Sequence, residues 1–563
     1  MGLRRAITLA AAAALLAAGA ASARSVCTGT CYVAPAGSGP LFLFSGHGWG
    51  HGVGMSQYGA YGYAQHGWTY AQILAHYYPG TTLGKTATTT IRVLLADKQK
   101  TLKISSTAPF TVADGGGRSH TLPAGAYSFG TGLRLPVDGG PLQGLTAPLT
   151  FSPGAGAPLT LGRAYRGQIL VDVVDGKLRA INVLPLEQYL DGVVPAEMPS
   201  TWLPQALDAQ AVASRSYSLA TRQLAAPFDV YSDTRSQMYL GIASETTATT
   251  AAVDATAGRV VLFRGKVATT VYSSSSGGET SSSVDAWGGN PTPYLVSVPD
   301  PYDVISPFHN WGPVPVTAQA LAKALHMTGT VADVTTTLNP SGRVSQLQLT
   351  TEAPFAAFPL LSAFGGGTVE GALGLRSTWF SVGVLSLAPP APSVPVLYGS
   401  SVQLSGVIRG TSGVSLEQRA NAGAWTPVGP VAALPDGTVQ LTETPTITTD
   451  YRLATPQAAA AYVRIKVMPV VTLAPAATTT ALQGTITPAL PGAPVQIQEL
   501  SPAGLTWTTI ATGAVDPVTA ATTPVPTGTF TVPLQLAPGT YRAVIAPGRG
   551  YSPGTSAPVT VSG

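Results

Sequence analysis

One glutamate stands in a strongly apolar stretch of the sequence. Residues 184–199 read LPLEQYLDGVVPAEMP and place Glu197 close to Val194 and Met198. A carboxyl group in apolar surroundings loses hydration, which raises its pKa and keeps it protonated near neutral pH. A protonated carboxyl is the general acid that cleavage of a glycosidic bond requires. A structural role is the alternative, in which Glu197 caps the following helix or pairs with Arg215.

A glycine- and histidine-rich motif is the second candidate site. Residues 46–60 read GHGWGHGVGMSQYGA. Alternating glycines let the backbone approach a ligand closely, and the His and Trp side chains offer polar and stacking contacts that suit a sugar. The motif lacks the spacing of a phosphate-binding loop. His47 and His51 have the spacing of helical metal ligands, but the glycines between them disfavour a helix, so we predict no metal site.

A run of four serines, Ser273 to Ser276, raises the question of a serine nucleophile. The run lacks the GxSxG elbow, and the sequence has no evident His/Asp pattern to accompany it. Hydrogen bonds from these residues to glycan hydroxyls are therefore the better interpretation. A second catalytic carboxylate stays open, with Asp233 and Glu279 as the candidates.

Two helices are expected to position these residues. Apolar residues recur at three- and four-residue steps over residues 203–219, and Pro204 suits the first turn of a helix. Thr69 and Gln72 have the spacing of a capping box, which predicts the start of another helix that ends at residues 79–80.

The composition predicts several strand-rich domains. The chain has 563 residues, too many for one ordinary domain, and 45% of them are hydrophobic, which is enough for packed cores. Only 10% are charged, and Ala, Thr, Ser, Gly and Pro fill the difference, a composition that suits strands and turns. The net charge is +4 with scattered Lys and Arg, which argues against a nucleic-acid-binding face or a polybasic membrane anchor.

The N-terminus has the features of a signal peptide at residues 1–23. Arg4 and Arg5 precede an apolar run over residues 6–20, and the small residues 21–23 fit a cleavage site. A retained membrane helix is the alternative, but the run is short for a span of about 20 residues. We therefore expect a secreted protein.

Cys27 and Cys31 are the only two cysteines. In an oxidising compartment we expect them to form a disulfide, because a metal site would lack further thiolate ligands. A lipid anchor on Cys27 is the other alternative, although the residues before it are not the small ones that such an anchor favours.

Several segments of the sequence resemble the SpoIID/LytB family. They are residues 184–199, QALDAQAVASRSY at 205–217, DTRSQMY at 233–239, YSSSSGGET at 272–280, and shorter pieces as far as LGLRS at 373–377. The glycine-histidine motif, with ILAHYYPGT at residues 73–81, also resembles this family, in which it commonly closes the domain. Here the motif opens the chain, so we expect a circularly permuted arrangement in which residues 45–82 pack against the middle region.

The resemblance implies an α+β SpoIID-like core at residues 181–387. We expect a β-rich subdomain inserted before it at residues 90–180, and the motif segment at residues 24–85 packed on the core. Beyond a Pro-rich linker at residues 388–392, a weak internal repeat of strand patterns predicts two all-β, Ig-like sandwich domains. Their predicted ranges are residues 393–470 and 471–563, and they have no catalytic pattern, which favours a role as spacers or wall-binding modules.

Characterised relatives in this family are lytic transglycosylases acting on peptidoglycan, or modifiers that stimulate a cell-wall amidase. The catalytic Glu of the family corresponds to Glu197. One carboxylate suffices for a lytic transglycosylase, because the 6-hydroxyl of the muramyl sugar attacks its own anomeric carbon. We therefore predict a secreted or wall-associated enzyme that cleaves the MurNAc–GlcNAc bond of glycan strands. A non-catalytic, glycan-binding enhancer of a cell-wall amidase is the alternative.

We predict that substrate-binding side chains surround Glu197. They are His47, His51, Gln57, Gln210, Arg215, Gln237, Tyr239, Ser275 and Ser276. Two roles are open for Arg215, namely an ion pair with Glu197 or a contact with the lactyl or peptide carboxylates of the substrate. Some relatives bind zinc through His and Cys near the serine-rich strand. This chain has serines there instead, so the resemblance implies no metal and no other cofactor.

Overall fold

The fold combines several sheets with a smaller number of helices. A computed structural model describes residues 25–87, 89–352, 360–390, 393–476, 480–517 and 527–562. It contains 42% strand and 16% helix, which is compatible with the β-rich, multi-domain fold expected from the composition. The predicted signal peptide lies outside the described residues. Cys27 and Cys31 are joined by a disulfide, with 5.4 Å between their Cα atoms.

The helices of the described residues lie in two parts of the chain, residues 57–77 and 186–373. They are α1 (Gln57–Gln65), α2 (Tyr70–Tyr77), α3 (Leu186–Glu197), α4 (Pro204–Thr221), α5 (Thr247–Ala255), α6 (Ser283–Trp287), α7 (Ala318–Ala324) and α8 (Gly366–Leu373), with 3₁₀ turns at Ile242–Ser244 and Pro301–Ile305. None of the described helices is both long and apolar enough to span a bilayer.

Both helices predicted from the sequence are confirmed. The apolar periodicity corresponds to α4, in which Pro204 occupies the first turn, where its missing N–H is not needed. Thr69 caps α2, and the capping box with Gln72 is formed in both directions.

A strand-rich region precedes α3 and determines where that helix begins. Its strands are Thr90–Gln99, Thr101–Ser106, Phe110–Ala113, Ser119–Leu122, Gly125–Gly130, Arg134–Pro136, Leu142–Gly144, Leu149–Ser152, Leu159–Leu161, Arg163–Tyr165, Gln168–Val174 and Lys177–Pro185. Lys177–Pro185 lies between Thr90–Gln99 and Gln168–Val174, antiparallel to both, in a seven-stranded sheet. Because this strand runs directly into α3, the sheet positions the helix that carries Glu197.

The N-terminal segment packs against the region that follows α4. The strands of these two regions are Tyr32–Val33, Leu41–His47, Met55–Ser56, Thr82–Lys85, Val230–Tyr231, Arg259–Phe263, Lys266–Val267, Tyr272–Ser273, Asn310–Thr317, Thr330–Leu338, Val344–Glu352, Leu360–Gly365 and Phe380–Ala388. Leu41–His47 lies between Asn310–Thr317 and Phe380–Ala388, antiparallel to both. Met55–Ser56 pairs in parallel with Tyr272–Ser273. These pairings bring the glycine-histidine motif onto the core.

Helix α3 is held by an apolar cluster that it shares with the sheet and with α4. Tyr189, Val193 and Val194 of α3 are fully buried, and they pack with Val93 of the sheet and Ala211 of α4. Complete burial of an apolar side chain of this size contributes about 1.5–3 kcal/mol to stability. The end of α3 is therefore firmly anchored.

The C-terminal region is built from strands on two hydrophobic cores, the first of which also includes residues of the strands Leu41–His47 and Phe380–Ala388. The strands are Val396–Leu397, Val402–Arg409, Ser415–Ala420, Thr426–Pro430, Thr438–Glu443, Thr449–Ala454, Ala458–Ala459, Val463–Ile465, Val467–Met468, Val470–Pro475, Ala481–Thr487, Pro494–Leu500, Trp507–Ala514, Gly528–Pro533, Gly539–Ile545, Gly554–Thr555 and Val559–Val561. The strands from Val470–Pro475 onward form two sheets that pack on one hydrophobic core. One sheet contains Phe530 and the other contains Ile497. The Ig-like assignment and the predicted domain boundaries stay predictions.

Candidate functional site

Glu197 is the last residue of α3, and its main chain and side chain are both held in place. Its Oε1 accepts a hydrogen bond of 2.8 Å from the backbone N–H of Met238. The side-chain amide of Gln57, from the glycine-histidine motif, donates to the carbonyl oxygen of Glu197 at 2.9 Å. Burial raises the pKa of the Glu197 carboxyl, and the hydrogen bonds from Met238 and Gln57 offset part of that rise. The Glu197 carboxyl therefore stays protonated to a higher pH in this site than it would in water.

The Glu197 side chain lines a cavity of about 310 Å³. The wall is largely aromatic and polar, and it is formed by His51, Glu197, Tyr217, Thr234, Ser236, Met238, Val271, Tyr272 and Trp287. Trp287 is 54% exposed, so its ring is available for stacking on a ligand. An acid beside an exposed aromatic ring and several hydroxyl groups suits a saccharide.

His51 brings the glycine-histidine motif into this cavity. Its Nδ1 accepts a hydrogen bond of 3.0 Å from the N–H of Val53, so in the neutral ring the proton is on Nε2. Burial, and to a lesser extent the positive charge of Arg343, lowers the pKa of His51 to about 4. The ring meets Trp287 edge-on, with 5.2 Å between ring centroids. His51 is thus a neutral, fixed imidazole at neutral pH.

Gly52 shows why this part of the motif has no side chain. Its φ of +71° lies in the left-handed region, and a Cβ there would meet the Arg343 Nη2 atom at 2.2 Å. Arg343 is almost fully buried, and its Nη2 donates to the carbonyls of Ser276 and Glu279. Any side chain at residue 52 would therefore collide with the buried guanidinium of Arg343.

Several residues predicted to bind substrate lie beneath the cavity as a buried network. Gln57 donates to Gln210 at 3.5 Å, and Gln210 donates to Ser214 at 3.0 Å. Gln237 donates to the hydroxyl of Tyr272 at 2.8 Å, which connects the network to the cavity wall. Gln57, Gln210 and Gln237 are each less than 9% exposed, so they support the wall and do not form it.

Tyr239 is also buried, with its hydroxyl donating to Asn182 at 2.8 Å and its ring packed against Tyr189. It holds α3 against the sheet and does not line the cavity.

Arg215 takes neither of the roles expected for it. Its side chain is completely buried and forms an ion pair with Glu187, with 2.5 Å between Nη2 and Oε2. It also donates to the carbonyls of Val253 and Arg259. The reason is helical geometry, because Glu187 lies near the start of α3, next to the middle of α4, whereas Glu197 lies at the far end of α3. Arg215 therefore joins the two helices and reaches neither Glu197 nor a ligand.

Ser275 and Ser276 belong to a separate, buried acidic network. Ser275 Oγ donates to Asp303 at 2.8 Å, and Ser276 Oγ donates to Asp300 at 2.7 Å. Both serines are almost fully buried, and burial raises the pKa of Asp300 to about 7. His309 Nδ1 completes the network at 3.0 Å from Asp303. These residues hold the loop against the motif and are closed to a polymer.

His47 lies in a different place from His51. It lines a cavity of about 280 Å³ together with Asn310 and Trp311, and its ring packs on Trp379 with 4.9 Å between centroids. The two motif histidines therefore face different cavities.

The two candidates for a second carboxylate also have other partners. Asp233 forms an exposed ion pair with Arg235, and Glu279 accepts a hydrogen bond of 2.6 Å from Ser297. Neither residue lines the cavity of Glu197. Among the residues of that wall, Glu197 is the one carboxylate.

Sequence reasoning did not select Tyr217, Trp287 or the backbone of Met238 as parts of the site. Trp287 lies in a short segment that had been matched to the family, but nothing local marks its ring as exposed. Tyr217 follows Arg215 on α4, where its spacing suggested a buried position. The contact from the backbone N–H of Met238 could not be predicted from side-chain types, because every residue except proline has such a group.

Comparison with known proteins identifies the family of the central region. Residues 174–263 match the SpoIID family, described as Stage II sporulation protein. An uncharacterised protein of Brachyspira hyodysenteriae is 35% identical over 140 residues, which cover 24% of this chain and 38% of that protein. The Amidase enhancer of Bacillus subtilis is 39% identical over 114 residues, covering 20% and 15%. Stage II sporulation protein D of Bacillus subtilis is 30% identical over 146 residues, covering 23% and 42%.

The chain thus spans less than half the length of these relatives. Among solved structures, a marsupial T cell receptor aligns with 31% of this chain and 99% of its own at 12% identity, but its TM-score of 0.13 is too low to support a fold assignment. The matched residues 174–263 include Glu197 and two of its supporting side chains, Gln210 and Gln237. Residues 174–263 are therefore a SpoIID domain, and this central part of the chain is similar to Stage II sporulation protein D and to the Amidase enhancer.

Proposed function

We propose that this chain is a peptidoglycan lytic transglycosylase that uses Glu197 as its single acid and base. The observation that carries the proposal is the position of Glu197, a carboxyl with a raised pKa in the wall of an open, aromatic cavity. Similarity to Stage II sporulation protein D and to an Amidase enhancer supports action on the cell wall.

In the proposed reaction, protonated Glu197 donates its proton to the oxygen that links MurNAc to GlcNAc. The bond from that oxygen to the muramyl anomeric carbon breaks, and positive charge develops on the sugar. The 6-hydroxyl oxygen of the same muramyl residue then attacks the anomeric carbon, and its proton passes to the Glu197 carboxylate. The products are a 1,6-anhydro-muramyl end and a free GlcNAc end, without consumption of water.

The surrounding residues support this chemistry in distinct ways. The N–H of Met238 engages Oε1, so the transferable proton belongs on Oε2. The exposed ring of Trp287 suits stacking on a sugar, and the hydroxyl of Tyr217 is suited to donate to a sugar oxygen. Because His51 is neutral, it adds no positive charge that would favour the carboxylate form of Glu197.

The test uses purified glycan strands, both intact and stripped of stem peptides, with products analysed by mass spectrometry. The unmodified chain should release 1,6-anhydro-muramyl products, and Glu197→Gln should lower the rate by about 10²–10⁴-fold, the usual contribution of general acid–base catalysis. Glu443→Gln is the matched control, because burial also raises the pKa of this carboxyl, which lies in a C-terminal strand. An equal loss of activity in both variants, or full activity in Glu197→Gln, would contradict the proposal.

A non-catalytic role as an enhancer of a cell-wall amidase is the second candidate function. It is favoured by the 39% identity to the Amidase enhancer, although that match covers only 20% of this chain. In this case the glycan strands yield no anhydro product, whereas the chain binds the strands and increases the rate of a purified amidase. Glu197→Gln should then leave the stimulation unchanged.

We also propose that the protein is exported and acts outside the membrane, by way of the signal peptide at residues 1–23. The sequence pattern of Arg4 and Arg5 followed by an apolar run supports this location. N-terminal sequencing of the protein recovered from the culture medium and wall fraction should find residue 24 at the start. Recovery in the cytosol with an intact N-terminus would contradict export.

A further inference from the structure

A second, larger cavity has no part in the chemistry proposed for Glu197. It measures about 610 Å³, and its wall includes Trp49, Phe308, Trp311 and Arg376. Trp49 is 43% exposed, and its ring meets Phe308 edge-on with 4.4 Å between centroids. Trp49 is two residues before His51 of the Glu197 cavity, so their Cα atoms are at most about 7 Å apart. The two cavities are therefore lined by neighbouring residues of the same motif.

Arg376 presents an uncompensated positive charge in this cavity. Its guanidinium carbon lies 5.0 Å from the ring centre of Trp49 and 4.6 Å from that of Phe308. Within the described parts of the chain, no carboxylate lies within salt-bridge distance of Arg376. Trp311 Nε1 is buried without a hydrogen-bond partner among the same residues. The cavity thus combines aromatic faces with a cation that has no ionic partner among the described residues.

The glycine-histidine motif holds these groups in place through its backbone. The N–H of Gly50 donates to the carbonyl of Arg376 at 2.8 Å, and the N–H of Gly48 donates to the carbonyl of Phe308 at 2.9 Å. Because the carbonyl of Arg376 makes this contact, its guanidinium is not needed to hold the loop. A guanidinium held over aromatic rings without an anionic partner is suited to receive a carboxylate from a ligand.

We propose that this cavity binds a sugar that carries a carboxylate, such as the lactyl-bearing sugar of a glycan strand. The ring of Trp49 stacks on the sugar, and Arg376 pairs with the carboxylate. The proposal rests on the proposed function for the identity of the polymer, but recognition of the acidic sugar does not require cleavage by Glu197. It gives Arg376 the role in carboxylate recognition that the sequence had suggested for Arg215.

The test compares two disaccharides that differ in the carboxylate, GlcNAc–MurNAc and GlcNAc–GlcNAc, by titration calorimetry with the full chain carrying Glu197→Gln. The acidic disaccharide should bind more tightly. Arg376→Gln should weaken its binding by about tenfold to a hundredfold, the usual effect of losing a charge-assisted pair, and leave GlcNAc–GlcNAc unchanged. Trp49→Ala should weaken both by about threefold to tenfold. Arg264→Gln is the matched control, because Arg264 also lies over an aromatic ring, that of Phe263, outside the cavity.

Equal affinities for the two disaccharides, no detectable binding of either, or unchanged affinity in a folded Arg376→Gln variant would each overturn the proposal. Thermal unfolding of the Arg376→Gln and Trp49→Ala variants establishes that they are folded. Since binding is measured without turnover, failure of the cleavage assay leaves this result unaffected. Conversely, anhydro products formed without preference for the acidic disaccharide would leave the role of Glu197 intact and remove that of Arg376.

Discussion

The buried ion pair between Glu187 and Arg215 predicts a large loss of stability when its carboxylate is removed. Three contacts form the pair, 2.5 Å between Nη2 and Oε2, 3.0 Å between Nε and Oε1 and 3.2 Å between Nε and Oε2. The side chain of Arg215 is completely buried, and that of Glu187 is 25% exposed. Glu187→Gln keeps the shape of the side chain and removes its charge. The guanidinium is then left inside the protein without a counter-charge.

The magnitude follows from the surroundings of the pair. Removing one partner of a buried ion pair costs about 3–5 kcal/mol of unfolding free energy. Partial exposure of Glu187 and the hydrogen bonds from Arg215 to two backbone carbonyls reduce the loss, so we expect about 3 kcal/mol. In a domain of this size, each kcal/mol lowers Tm by about 2–4 °C, so the Tm of the domain should fall by about 6–12 °C.

Differential scanning calorimetry of the full chain measures this change. Several hydrophobic cores predict more than one transition, and hydrogen exchange in α4 identifies the transition to which Arg215 belongs. Asp233→Asn is the control, because its pair with Arg235 has side chains 44% and 61% exposed, and it should leave Tm unchanged.

A double variant, Glu187→Leu with Arg215→Met, should be more stable than Glu187→Gln, since it leaves no buried charge. If Glu187→Gln lowered Tm no more than Asp233→Asn does, the reasoning about the buried charge would be refuted.

Three further predictions concern acid groups and the glycine-histidine motif. Because burial raises the pKa of Glu197, its protonated form persists at pH values above the ordinary pKa of 4.5. The kcat/KM of the cleavage reaction should therefore decline as pH rises, with a midpoint above pH 4.5. A midpoint at or below pH 4.5 would contradict the assignment of Glu197 as the acid. Burial raises the pKa of Asp300 from 3.8 to about 7, so its contribution to stability is full below about pH 3.8 and is lost as pH rises through 7. The unfolding free energy of Asp300→Asn, measured by chemical unfolding, should therefore depend less steeply on pH than that of the unmodified chain. Identical pH dependences of the two would refute this. Gly52→Ala should lower the unfolding free energy by well over 1 kcal/mol, because its Cβ would meet Arg343. Gly80→Ala is the control, since Gly80 has a similar φ of +75° but lies in open space, and it should cost about 1 kcal/mol. Equal costs would show that only backbone strain matters.

Local features of the site could be predicted from the sequence because their physical causes are local. The helix at Pro204 follows from apolar periodicity, and the start of α2 follows from the reciprocal bonds of Thr69 and Gln72. The raised pKa of Glu197 was expected from its apolar neighbours along the chain, and the structure has the same direction of shift by burial. These features depend on residues within one or two helical turns.

Contacts between distant segments could not be predicted in this way. The sequence offered Glu197 as a partner for Arg215, but the pairing depends on where α3 and α4 cross, which places Glu187 opposite the guanidinium. Likewise, polar residues near a site can face a ligand or support its wall. Gln210 and Gln237 support the wall, because the packing of α4 beneath the cavity buries them completely or almost so.

The sequence by itself determined the family resemblance, the apolar setting of Glu197 and the non-helical backbone between His47 and His51, since each follows from residue types at short spacing. Only the tertiary structure decided that His51 faces the cavity of Glu197 while His47 and Trp49 line other cavities. The physical reason is that a chain with several positive-φ glycines can turn its side chains in many directions. Pairing with strands more than 200 residues away selects one of them.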